Sequence, residues 1–439
     1  MSSSPTESPS PKSRVTEDHD TYHRDDDAAD ALTDVLNCVL RFGASMLRAG
    51  TAAFRVREAM GAIARALRVE AIAVHITLDG MTATARRGTA HVTLANEIGS
   101  LGVNAWRIGE LERLARSAET GVSLRSVAAE IDAIEAECLL RSSSQVVAGV
   151  GAISGAFSYL NGGGPYVILA SAICGALGHA VRMTLLRRRL NQYAVTALCA
   201  VVASGAYCLM ASATSGAGLP VLHNAAGFVS SVLFLVPGFP MVAALLDLMQ
   251  HQTLAGISRI TNGAMLLAAA TAGFSLIAAV AGLPAQMPSA PPLGEVAILL
   301  LRALASAVGA CGFAILFNSS SRALWAIAGF AAIGNELRLA LHDAGVSLTF
   351  AAFIGALTVG LLASQVRRRL HESRIALTVP GIIMMLPGRD AFQAVVSFCQ
   401  GDALAGLRSA VFGGFVVGAL AAGLVAAHFV TERDWLVEP

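Results

Sequence analysis

Between Arg189 and Asp247 the chain carries no Asp, Glu, Lys or Arg, and that gap constrains the fold more than any other feature. A helix crosses the hydrocarbon of a bilayer with about 20 apolar residues, so the gap holds two spans. The wider composition agrees: 55% of residues are hydrophobic, 14% are charged and the mean hydropathy is +0.62, far from a soluble average. Between residues 142 and 431 the only acids are Asp247, Glu295, Glu336, Asp343, Glu372, Asp390 and Asp402. The chain reads as an integral membrane protein with a charged N-terminal part.

Several function classes drop out early. A net charge of +1 offers no basic face for nucleic acid, and every basic residue except Lys12 is Arg. The cysteines (Cys38, Cys138, Cys174, Cys199, Cys208, Cys311, Cys399) form no CxxC pair, and five lie in or at the edge of predicted spans, where Cys behaves as a small apolar residue. No metal and no cofactor is therefore expected. A membrane hydrolase built on His75, Asp79 and His91 finds no GxSxG, HExxH or P-loop pattern behind it, so no catalytic residue is assigned.

Residues 1–30 are rich in Ser, Pro, Asp and Glu without an apolar core, which predicts a disordered cytoplasmic tail and not a signal peptide. Residues 31–140 predict a small α+β cytoplasmic domain. "DVLNCVLRFGASMLRAG" and "AAFRVREAMGAIARALRVE" have helical apolar periodicity with too much charge to cross a bilayer. "AIAVHITLDGMTATARRGTAHVTLA" alternates apolar with polar around Asp79-Gly80, a hairpin signal. Two further helices are predicted near 104–118 and 123–138, the second with Ser123 as N-cap.

Ten apolar segments follow, at 145–160, 166–186, 193–213, 221–249, 254–283, 296–317, 323–341, 347–366, 375–398 and 404–430. They divide into a first five-helix membrane repeat over 144–283, an extracytoplasmic linker over 284–293, a second five-helix repeat over 294–430 and a cytoplasmic tail over 431–439. With the N-terminal domain inside, the cytoplasmic loops hold "RRR" (187–189), Arg259, Arg322 and "RRRLHESR" (367–374). The opposite loops, "NGGGP", "SATSGAGLP" and "GLPAQMPSAPPLGE", hold no Arg or Lys, as the positive-inside bias requires.

The division into halves rests on internal similarity. Leu233 to Gly256 lies on Ile383 to Gly406 without a gap, with seven identities in 24 positions. Pro237 falls on Pro387 and Gly238 on Gly388. A second register, "VPGIIM" at Val379 on "VPGFPM" at Val236, would instead pair Asp247 with Asp390. Since five is odd, the second copy enters the bilayer from the other side, an inverted repeat. Pro lacks an N–H and Gly permits non-helical torsions, so the fourth and ninth spans are interrupted at each Pro-Gly. Such a break is tolerated at bilayer depth where it lines a cavity. The restarting helices would aim free N–H groups and positive dipole ends at that cavity, which favours a small carboxylic or amino acid as cargo. The plainer alternative is a proline kink that shapes packing.

Five stretches resemble the threonine/serine exporter family: "LRAGTAAFRVREAM" (47–60), "GVNAWRIGEL" (102–111), "VPGFPMVAALLDL" (236–248), "FN" (317–318) and "VPGIIMMLPG" (379–388). The resemblance covers about Leu32 to His428. It implies a cytoplasmic α/β domain followed by ten membrane helices in the bacterial inner membrane, exporting threonine and serine with the proton motive force. Split two-chain relatives imply a dicarboxylate such as succinate as the alternative cargo. The partners so implied are the small-molecule cargo, protons and the lipid bilayer; homo-oligomerisation stays open.

The candidate substrate-binding residues are Pro237, Gly238, Asp247, Asn262, Pro387, Gly388, Arg389 and Asp390, and the candidate proton-coupling residues are Asp247, Glu336 and Asp390. An acid inside a membrane span defaults to function, although Asp247 could equally lie at the interface and Asp390 could stabilise a helix N-terminus. Arg389 could grip a carboxylate bidentately or pair with Asp390. Arg182 and Arg338 correspond between the halves and could form a symmetric anion pair, yet both stand near a span's end, where Arg is expected to snorkel. Asn161 and Asn318 close the first and sixth spans as C-caps. His223 and Asn224 border the broken span.

Overall fold

The computed structural model describes residues 14–99, 101–137, 139–216, 224–281, 294–370 and 372–432. The linker 284–293, the tail beyond Glu432, His223 and Cys138 lie outside them.

The N-terminal part comprises α1 (Arg14–Arg48), α2 (Ala53–Ala66), strands β1 (Ala71–Ile76), β2 (Gly80–Arg87) and β3 (Ala90–Glu97), α3 (Ala105–Ser117) and α4 (Leu124–Ala136). Residues 14–30 are helical, where an unfolded tail was expected. No proline lies between Pro11 and Pro165 and no glycine occurs before Gly43, so nothing stops α1 from running back through this polar stretch. The sheet has three antiparallel strands in sequence order. Thr77 Oγ1 bonds Asp79 Oδ1 at 2.9 Å in the first turn. The second turn, at Gly88 with φ +59°, divides what read as one β run. Met81, Ala83 and Ala85 of β2 are buried with Leu36, Val39, Met60, Ile63, Leu111 and Ile131 in one apolar cluster, which also takes in Ala255 from a membrane helix. Asn104 and Ser123 cap α3 and α4, accepting from Arg107 N and Ser126 N.

The membrane part comprises α5 (Ser143–Leu160), α6 (Pro165–Arg187), α7 (Gln192–Gly216), α8 (Ala225–Ser230), α9 (Gly238–Met249), α10 (Thr253–Ala281), α11 (Glu295–Leu316), α12 (Ser321–Asp343), α13 (Leu348–Leu370), α14 (Arg374–Ile383), α15 (Gly388–Cys399) and α16 (Ala403–Thr431). Among the described residues, seven of these are long and apolar enough to cross a bilayer, or eight when α8 through α9, bent by 60°, is one span. The protein is a multi-pass membrane protein. Fewer than ten qualify because α14 and α15 are 10 and 12 residues long and α5 dilutes its apolar residues with Ser, Gln and Gly.

Helices in corresponding positions match in length and in packing. α9 and α15 have 12 residues each, and α10 and α16 have 29 each. Gly178 of α6 packs on Ala203 of α7 as Gly334 of α12 packs on Val359 of α13. Gly273 of α10 meets the carbonyl of Ala197 in α7 as Gly423 of α16 meets that of Phe353 in α13. α5 and α11 cross backbone to backbone, with Gly149 and Gly312 facing each other's carbonyls. Small residues permit such approach, the usual device for packing helices in lipid.

Candidate functional site

Both breaks have the same local geometry. Pro237 sits at φ −77°, ψ 58°, an inverse γ-turn, and Gly238 N–H donates to Val236 O at 2.8 Å. Gly388 N–H donates to Leu386 O at 2.8 Å around Pro387. α9 and α15 restart at these glycines, as the gapless register requires. Pro380, the anchor of the competing register, lies inside α14 instead. The first half-helix offers fewer free donors than expected, because Gly238 N–H is consumed by the turn and Pro240 has none.

The two breaks touch each other. A Cβ on Gly238 would stand 3.1 Å from Ile383 Cγ1 and Leu386 Cδ1, and one on Gly388 would stand 3.1 Å from Leu233 Cδ1. Between them lies a cavity of about 360 Å³ bordered by Gly238, Met241, Thr271, Pro387, Gly388 and Ser409, with Phe157, Phe274 and Phe398 among its apolar walls. Its described lining contains no charged side chain. Two glycines behind the breaks escaped sequence reading. Gly263 of α10 leaves room for Pro237 Cγ at 3.7 Å, and Gly413 of α16 leaves room for Pro387 Cγ at 3.6 Å. Extending the same sequence offset a few residues past Gly256 and Gly406 would have paired them.

The remaining candidates are dispersed. Asp247 is fully buried but lies at the far end of α9 and not on the cavity. Its Oδ1 accepts from Phe54 N–H at 3.2 Å, in the first turn of α2, and its Oδ2 faces Arg259 Nε at 3.5 Å. Arg259 donates in turn to Thr51 O at 2.6 Å. The N-cap residue of α2, Ala52, has no side-chain oxygen, so a membrane-helix carboxylate supplies the missing acceptor and meets the helix dipole with the right sign. Asn262 Oδ1 accepts from Tyr193 Oη at 2.8 Å and Gln192 Nε2 at 3.1 Å, tying α10 to α7. Asp390, in the first turn of α15, is half-buried, and its Cβ lies 3.9 Å from where a Cβ on Gly413 would stand. The side chain of Arg389 lies outside the described residues. Glu336 is half-buried on α12, away from the cavity lining.

Arg338 does not snorkel as expected: it is buried, and its Nε donates to Asn335 Oδ1 at 2.8 Å, with Asn335 donating to Ser306 Oγ at 2.7 Å. Asn161 closes α5 and donates to Phe157 O at 2.8 Å. Asn318 follows α11 at φ +57° and does more than cap it. Its side chain accepts from Leu140 N–H at 2.9 Å and donates to Asn104 Oδ1 at 3.0 Å. The carbonyl of Phe317 accepts from Ala105 N–H at 2.8 Å. The C-terminus of α11 thus meets the N-terminus of α3, opposite dipole ends together.

The fold describes a multi-pass membrane protein in which two Pro-Gly breaks border one cavity. Comparison with known proteins gives the family. The family described as "Putative threonine/serine exporter" matches residues 37–281, and the related "Threonine/Serine exporter, ThrE" matches residues 302–430. The chain belongs to the threonine/serine exporter family. It is 24% identical over 411 residues to the "Threonine/serine exporter" of Corynebacterium glutamicum, covering 91% of this chain and 83% of that protein. It is 34% identical over 144 residues to an uncharacterized protein of Haemophilus influenzae, covering 31% of this chain and 48% of that one, so the chain spans about half the length of that relative. No solved structure matches.

Proposed function

We propose that the chain is a secondary active exporter of small amino acids, threonine and serine, across the bacterial inner membrane, driven by the proton motive force. The single observation that carries the reading is the shared cavity: two Pro-Gly breaks from separate parts of the chain border one space of about 360 Å³. The family and the named Corynebacterium relative support the cargo class. Matching helix lengths, matching glycine contacts and matching γ-turns support ten membrane helices arranged as two five-helix copies. Corresponding turns differ in surroundings: Asn318 after α11 meets Asn104, while Asn161 after α5 bonds within its own helix. That difference supports an inverted relation, with residues 31–140 on the cytoplasmic side beside the Arg-bearing turns.

In this reading Pro237, Gly238, Pro387 and Gly388 frame the cargo, and the apolar wall suits a threonine methyl group. Asp390 is the proton-coupling candidate nearest the cavity, and Asp247 serves docking instead. A dicarboxylate would require two cationic partners, and the described lining offers none. The family and the named relative support a carrier over an enzyme. Counterflow in proteoliposomes tests the proposal. Labelled threonine should accumulate against unlabelled threonine or serine and not against succinate, and a pH gradient should drive it. Absence of exchange would overturn it.

A further inference from the structure

A second cavity, of about 480 Å³, lies where the N-terminal helices meet the membrane helices. It is wholly different in chemistry from the space between the breaks. Glu432, just past α16, is held by Arg55 at 3.3 Å, Arg367 at 2.8 Å and Arg374 at 3.5 Å. Arg55 also pairs with Glu58 at 2.9 Å. The lining further holds Glu112 of α3, Glu372 before α14 and Arg116. Glu112 accepts from Ser373 Oγ at 3.1 Å and Glu372 accepts from Ser320 Oγ. Among the described residues neither acid has a basic group within ion-pair distance.

The lining is neutral as a whole, with four Arg against four Glu, but unevenly paired: Glu432 takes three guanidinium groups while Glu112 and Glu372 take none within ion-pair distance. A small zwitterion keeps the balance neutral while offering an ammonium to the two acids, and carboxylate against guanidinium is the pairing with the best geometry. Burial pushes the carboxyls of Glu112 and Glu372 up, so each would gain from a bound cation.

We propose that this junction cavity is a second binding site, for a free small α-amino acid held as its zwitterion, its carboxylate at Arg55 and Arg367 and its ammonium at Glu112 and Glu372. Choosing an α-amino acid among zwitterions rests on the exporter reading above. Occupancy would bridge α2 and α3 to the start of α14, the helix that leads to the Pro387 break. The site thus gives the exporter a sensor for amino acid on the side where its N-terminal elements lie.

Calorimetry on the full-length protein in detergent tests this, using Gly238→Leu to remove binding between the breaks. Threonine and serine should still bind that variant, while succinate and propylamine should not. Adding Glu112→Gln and Glu372→Gln should weaken threonine by about tenfold or more, as loss of a charge-assisted contact does. Glu112→Asp should recover part of it. Arg367→Gln, at a residue paired with Glu432, should weaken threonine independently. Affinity unchanged in both the glutamine and the Arg367 variants would overturn the proposal, as would no binding by Gly238→Leu. Intact binding by Gly238→Leu together with absence of counterflow by the wild-type protein would instead sink the exporter reading and leave this site standing.

Discussion

Gly388 lies against Leu233 so closely that an added Cβ would stand 3.1 Å from Leu233 Cδ1, and Gly238 stands in the same relation to Ile383. Each break is packed by the apolar residue five positions before the other. The first prediction follows from that reciprocity. Gly238→Leu and Gly388→Leu each drive a side chain into both this contact and the cavity, an overpacking that costs about 1–3 kcal/mol. Threonine counterflow should be lost in both, to similar extents, with a modest fall in Tm. Loss in one variant with full activity in the other would show that the halves do not share the task.

How much of this was legible in the sequence depends on the kind of contact. The breaks and their register were readable because Pro and Gly change backbone options by themselves, and an undisturbed offset carried the pairing. The contacts of Asp247 and Asn318 were not readable. A buried acid looks the same in sequence whether it carries a proton or caps a distant helix, and α2 lies nearly two hundred residues from Asp247. Four of the five stretches that carry the family resemblance meet in pairs: Phe54 at Asp247, and Asn104 and Ala105 at Phe317 and Asn318. Only coordinates could join them.

The second prediction concerns that docking. Asp247→Ala leaves Arg259 buried with no acid beside it, and breaking a buried pair from one side costs about 3–5 kcal/mol. Asp247→Ala with Arg259→Met should be less damaging than the sum of the single changes, with a coupling of about 0.5–3 kcal/mol. Thermal unfolding of the purified variants reads this directly. Strict additivity would show that the two residues do not act together.

The third prediction uses pH. Burial opposes ionisation of Glu432, but the hydrogen bond from His428 and the charges of Arg55 and Arg367 prevail and hold its carboxyl well below the usual range. A depressed acid contributes stability that is present above its unfolded pKa, about 4.3, and is lost as pH falls through the folded value. Glu112 has the opposite sign: burial raises it, so its contribution is full below about pH 4.3 and declines as pH rises through the raised folded value. Glu432→Gln should therefore lower Tm at neutral pH and much less in acid. Glu112→Gln should raise Tm at neutral pH and leave it unchanged near pH 4. Parallel pH profiles for wild type and both variants would refute the assignment.

The last prediction tests the junction of α11 with α3. Asn318 stands at φ +57°, a region that costs an ordinary side chain about 1–2 kcal/mol but that Asn tolerates. Its side chain also satisfies Leu140 N–H and bonds Asn104 Oδ1, the same oxygen that caps α3 through Arg107 N–H. Asn318→Ala should lose both hydrogen bonds, leave Leu140 N–H without its acceptor at a cost of about 1–3 kcal/mol, and add the torsional strain. Asn318→Gly removes the same bonds without the strain, so it should be milder by about 1 kcal/mol. The corresponding change in the first half, Asn161→Ala, should cost less than either, because Asn161 is not in the left-handed region and its side chain bonds back to Phe157 O within α5. Thermal unfolding of the three variants orders them. Equal losses for Ala and Gly at 318 would show that the backbone conformation there carries no strain, and a loss at 161 as large as at 318 would show that docking onto the N-terminal helices adds nothing.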